Sequence, residues 1–198
     1  AVERAVEIAK GEIAVIWAVD GIIELCGGSM GLDLFLKTLH KDPKFVKRVL
    51  KERFEWVLGT SRAMVRRGVD ALVIADDHAD THGPFFSPKL YETLVCPYYE
   101  KINEEVTKYI PTILHTDGNV WLLMDLFTKV GFRAIHSLEP RAGMDLRRVK
   151  EKYGDKICLI GNVDCAFVLV NGSKLDVVKE TRRCIDSAAP GGGYMLSS

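Results

Sequence analysis

Short runs of apolar residues punctuate this chain, and longer amphipathic stretches fill the gaps between them. The runs are 13–19, 71–75, 112–115, 134–138, 157–160 and 194–196. Each is continuous rather than alternating, which predicts strands covered on both faces, as in a parallel sheet. The intervening stretches carry helix signals. Asp42-Pro43 is a cap followed by proline at the first helical position, with the pattern running to Arg67 and stopped by Gly68. Ser87-Pro88 repeats that start, and Pro97 predicts a kink in the helix it opens. Further helices are predicted over 119–130, 145–153 and 173–188, and the chain opens inside a helix-like stretch. Strand and helix alternate throughout, which predicts an α/β fold with a parallel sheet.

An open doubly wound sheet usually carries a glycine-rich phosphate turn. Gly27-Gly28-Ser29-Met30-Gly31 lacks the fingerprint spacing, and Gly191-Gly192-Gly193 precedes a strand rather than a helix. Polar groups instead close nearly every strand: Asp20, Asp76-Asp77, His115-Thr116-Asp117, Glu139 and Asn162-Val163-Asp164. Chemistry gathered at successive strand ends is the pattern of a TIM (β/α)8 barrel. About six strands are predicted where a closed barrel needs eight. The expectation is therefore one barrel domain over 1–198, incomplete and truncated at both ends.

Composition narrows the function classes. Lys+Arg and Asp+Glu both number 27, so no net basic field exists for nucleic acid or an anionic membrane. No apolar run approaches the ~20 residues that span a bilayer, and no signal peptide is expected. Five cysteines without a CxxC spacing argue against a disulfide framework and for a reducing cytoplasm. Cys26, Cys96, Cys158 and Cys184 read as small buried hydrophobes, and Trp17, Trp56 and Trp121 as packing residues.

His115 and Asp117 form the sharpest pair. At i, i+2 on a strand they share one face, which in a barrel is the pocket side. Imidazole plus carboxylate suits zinc or proton transfer, with Asp77, His78, His82 and Cys165 available by position as a third ligand. By spacing alone the plainer account is that His115 hydrogen-bonds a neighbouring loop and Asp117 starts the next helix. The loop bearing Asp76, Asp77, His78, Asp80 and His82 reads either as substrate contact or as self-bonded turns. His136, inside a strand, reads as a satisfied core residue.

Several segments together resemble the uroporphyrinogen decarboxylase superfamily: Ser87-Pro88-Lys89-Leu90-Tyr91 with Pro97-Tyr98, Ile113 to Asn119, Gly131-Phe132, Leu159 to Asp164, and Gly192 to Leu196. The resemblance runs from about Ile13 to the end and implies a TIM barrel with a deep cleft at the strand ends. One branch decarboxylates the acetate side chains of a tetrapyrrole in porphyrin biosynthesis without a cofactor, using arginines and an aspartate. The other comprises methylcobalamin:thiol methyltransferases, corrinoid enzymes in which zinc activates the thiol. Those methyltransferases carry His-x-Cys where this chain has His115-Thr116-Asp117, so Asp117 puts an oxygen in place of a thiolate, and magnesium or manganese become conceivable.

The favoured expectation is a decarboxylase-like lyase. His115, Asp117 and Asp77 are its catalytic residues, and Asp76, His78, His82, Glu139, Asn162 and Asp164 its substrate contacts. The alternatives are a metal-dependent corrinoid methyltransferase holding its metal at His115 and Asp117, and a non-catalytic barrel that binds a tetrapyrrole or a corrinoid protein. The implied partners are a small tetrapyrrole or a corrinoid protein, with a homodimer compatible and neither nucleic acid nor membrane.

Overall fold

The computed structural model describes residues 1–9 and 11–198. Six strands, β1 (Ile16–Asp20), β2 (Ala71–Ala75), β3 (Thr112–Thr116), β4 (Ala134–Ser137), β5 (Cys158–Asn162) and β6 (Tyr194–Ser197), form one sheet in sequence order. Every neighbouring pair is parallel. The connections are helical. α1 (Val2–Ala9) precedes β1; α2 (Ile22–Met30), α3 (Leu32–Lys41) and α4 (Pro43–Arg66) link it to β2. α5 (Pro88–Leu94) and α6 (Cys96–Val106) lead to β3, α7 (Met124–Lys129) to β4 and α8 (Leu146–Tyr153) to β5. α9 (Val168–Asn171) and α10 (Lys174–Ala188) lead to β6.

Side-chain alternation divides the molecule into two layers. On the outer face Leu72, Ile74, Leu114, Ile135 and Leu159 are fully buried beneath the helices. On the inner face Ala71, Ile113, Ala134 and Ile160 form a separate small cluster with Val73 and Cys158. Residues from all six strands, among them Ile16, Val73, Ile113, His136, Ile160 and Met195, line one interior cavity of about 250 Å³. A flat sheet has no such common interior. This is a partial TIM-barrel sheet of six parallel strands, with β1 and β6 paired on one side only among the described residues. Ile16 and Met195 on those outer strands are 46% and 49% exposed.

The helix signals act as expected. Asp42 accepts from Phe45 N at 2.9 Å to cap α4, Ser87 caps α5, and Ser173 with Asp176 forms a capping box at α10. Pro97 divides the predicted helix into α5 and α6, which meet at Val95. Some expectations need correction. The helix predicted from Asn119 is regular only from Met124. Trp56 is half exposed on α4 rather than packed in the core, and Cys158 is only partly buried.

Candidate functional site

β3 turns at Gly118, whose backbone sits at φ +82° and whose missing Cβ would lie 2.5 Å from the Ala79 carbonyl oxygen. Only glycine fits both conditions. The turn brings Asp117 beside the end of β2, where Asp117 N donates to Asp77 Oδ1 at 2.9 Å. Gly118 N donates to Glu139 Oε2 at 3.0 Å, tying in the segment after β4. Ser137 Oγ donates to Asp117 Oδ1 at 2.5 Å. One ligand atom from each of Asp77, His115 and Asp117 falls within 4.8 Å of the other two. Each carboxylate uses a single oxygen in these bonds, so its second oxygen stays available to a cation.

His115 faces His136 across the β3–β4 register, Nδ1 to Nδ1 at 2.7 Å. His136 Nε2 reaches the Ser198 main-chain oxygen at 3.0 Å. Burial, reinforced by the neighbouring His115, lowers the His136 pKa below its ordinary value. A cavity of about 220 Å³ opens here, lined by His115, Asp117, His136, Glu139, Arg141 and Asp164 among others. Cys165 also lines it, exposed. Three carboxylates against the single guanidinium of Arg141 make this mouth acidic. Arg141 Nη1 lies 3.9 Å from Asp164 Oδ2, leaving that excess in place.

Of the residues singled out in the sequence, Asp77, His115, Asp117, Glu139 and Asp164 gather at this mouth. Asp76, His78, Asn162 and His82 do not. Asp76 and Asp77 are adjacent, so they point to opposite faces of the sheet, and Asp76 enters the helical layer. It is fully buried, accepting from Ile23 N at 3.2 Å, Glu24 N at 2.6 Å and the Tyr99 hydroxyl. Asp76 thereby caps α2 from another strand. Gly21 makes room for it, since a Cβ there would lie 2.1 Å from the Asp76 Cβ.

His78 is equally buried. Tyr91 donates its hydroxyl proton to the His78 carbonyl at 3.1 Å, so its oxygen accepts from His78 Nδ1 at 3.0 Å. That leaves His78 Nε2 as an acceptor with no partner among the described residues, 3.4 Å from Asp76 Oδ2. Burial, outweighing the donors around it, pushes the Asp76 carboxyl up to about 7, and burial pushes His78 down to about 3. Below its raised pKa a protonated Asp76 can donate to the neutral His78 across that gap.

Asn162 is also buried, donating to Met144 O at 2.9 Å and accepting from Arg183 at 2.9 Å, which is a structural role. His82 stands out in solvent beside Asp80, away from the cavity. Asp20 lines a different hollow with Glu24 and Arg53. His136 is the residue that sequence reasoning placed in the core. Its signal was its parity with Ala134 on the inner face, level with His115.

The sequence matches the family described as uroporphyrinogen decarboxylase (URO-D) across residues 1–198. A methylcobamide:CoM methyltransferase, MtaA of Methanosarcina barkeri, is 26% identical over 202 residues, 98% of this chain and 58% of the relative. MtbA of Methanosarcina acetivorans, another methylcobamide:CoM methyltransferase, is 26% identical over 88% of this chain and 50% of its own. A uroporphyrinogen decarboxylase of Aromatoleum aromaticum is 26% identical over 86% of this chain and 47% of its own. The chain thus spans about half the length of these relatives. A solved methyltransferase from Methanosarcina mazei superposes with a TM-score of 0.82 at 23% identity, covering 98% of this chain and 56% of that one, and shares the fold. The family match along the whole chain, with relatives of both activities, places this protein in the uroporphyrinogen decarboxylase superfamily, whose named members are enzymes.

Proposed function

We propose that the full protein is a metal-dependent methyltransferase, moving a methyl group from a corrinoid to a thiol, rather than a tetrapyrrole decarboxylase. The supporting observation is the convergence of Asp77, His115 and Asp117 within 4.8 Å at an acidic mouth. Two carboxylate oxygens and one imidazole nitrogen suit zinc with a coordination position left open for substrate. Such a set is harder than one containing thiolates and admits manganese or magnesium. When bound there, the cation supplies the positive charge that makes a thiol ionise near neutral pH. Ser137 and the Asp117 backbone hold the two carboxylates in place.

The decarboxylase reading needs a mouth that welcomes several substrate carboxylates. Among the described lining residues Asp117, Glu139 and Asp164 repel them, with Arg141 the one opposing charge. The names of the two methyltransferase relatives lean the same way.

The test gives the full-length protein methylcobalamin with a thiol and, in parallel, uroporphyrinogen III. Thiol-dependent demethylation of the corrinoid, abolished by a chelator and restored by zinc, is the expected result. Chelator-insensitive decarboxylation of the tetrapyrrole contradicts it. Pigment binding with no turnover of either substrate would favour a binding role instead.

A further inference from the structure

The Nδ1-to-Nδ1 contact between His115 and His136, at 2.7 Å, requires one proton shared between two nitrogens. Its owner is decided at the other side of the His136 ring. His136 Nε2 lies 3.0 Å from the Ser198 main-chain oxygen, and an oxygen of that kind only accepts. His136 Nε2 therefore carries a hydrogen, and in the neutral ring Nδ1 is bare. The Ser197 hydroxyl, 3.3 Å from the same Nε2, rotates to suit. His115 must then donate from Nδ1, and its lone pair resides on Nε2.

We propose that His136 is a positioning residue that locks His115 in the Nδ1–H tautomer, the less populated form of a free histidine side chain. The lock keeps Nε2 of His115 as a permanently available donor atom and fixes the angle of its ring. Metal-binding histidines ordinarily obtain this orientation from a carboxylate or a backbone carbonyl. Here a second histidine, itself anchored to a backbone oxygen, stands between. Toward the cation the inference rests on the reading proposed above, whereas the tautomer assignment stands on the hydrogen-bond chain alone.

The experiment is a long-range proton–nitrogen correlation spectrum of the metal-free, full-length protein labelled at its histidines, recorded at mildly alkaline pH. The expected spectrum shows His115 protonated at Nδ1 and bare at Nε2, with His136 the reverse. In His136→Phe, His115 is expected to return to the Nε2–H form, and zinc affinity to fall about tenfold to a hundredfold. His136→Gln, whose amide both donates and accepts, is expected to recover most of that affinity. An Nε2–H His115 in the unsubstituted protein overturns the proposal even if zinc binds, and that spectrum decides the matter should His136→Phe fold poorly. Absence of zinc binding removes the metal reading and leaves the tautomer result standing.

Discussion

Replacing His115 by alanine is expected to lower the zinc affinity of the full-length protein by more than about a hundredfold, beyond the tenfold to hundredfold typical of losing an outer-shell partner. His115 offers the one nitrogen among the three converging groups. Its ring lies on the inner face of β3 at the cavity wall, partly exposed, so truncation leaves the helical layer intact. Little loss of stability should accompany the loss of metal. His82→Ala serves as the control, because that ring is solvent-exposed away from the cavity and its removal should leave zinc binding unchanged. Titration calorimetry on both variants measures the difference. Equal affinities for His115→Ala and the unsubstituted protein would rule His115 out as a ligand.

A second large effect is expected at Asp76, through stability rather than chemistry. Asp76→Ala leaves the buried amide of Ile23, the partly buried amide of Glu24 and the buried Tyr99 hydroxyl without their acceptor. Unsatisfied buried donors cost about 1–3 kcal/mol each, so with two of them fully buried urea unfolding should register a loss of roughly 2–6 kcal/mol. Asp76→Asn should behave differently. The carboxyl is raised from 3.8 to about 7 in the folded protein, so the native state binds the extra proton between those values. Its contribution is fully present below about pH 4 and is lost as pH rises through 7, on the order of 4 kcal/mol in all. An asparagine cannot ionise, and with its amide nitrogen toward His78 Nε2 its oxygen still accepts from Glu24 N, while Ile23 N gives up its acceptor. The stability difference between Asp76→Asn and the unsubstituted protein should therefore shift in the variant's favour from pH 4 to pH 8. Parallel pH profiles would show that Asp76 is not held protonated.

Much of this was readable from residue order. Continuous apolar runs separated by capped helices mark the strands within about three residues, and polar groups at their ends mark the mouth. The fold class follows because a parallel strand buried on both faces leaves little freedom in its composition. Reading single side chains was harder. Asp76 and Asp77 are the same residue type on the same loop, yet period-2 alternation sends one into the helical layer and the other to the mouth. His136 misleads in the opposite direction: a histidine inside an apolar strand reads as core, but its parity with Ala134 puts it on the inner face. Asn162 and His78 look functional by type, but their partners, Arg183 and Tyr91, come from helices whose approach no local pattern encodes. Cross-strand register, which sets His115 against His136, is a property of the assembled sheet.

We propose that Asp77, His115 and Asp117 together hold one divalent cation at the acidic end of the barrel. Crystals of the full-length protein soaked in zinc, with diffraction recorded on both sides of the zinc absorption edge, test it directly. A single anomalous peak about 2.0–2.2 Å from all three side chains is the result this account requires. Zinc bound elsewhere, or a site with these three groups left uncoordinated, would contradict it.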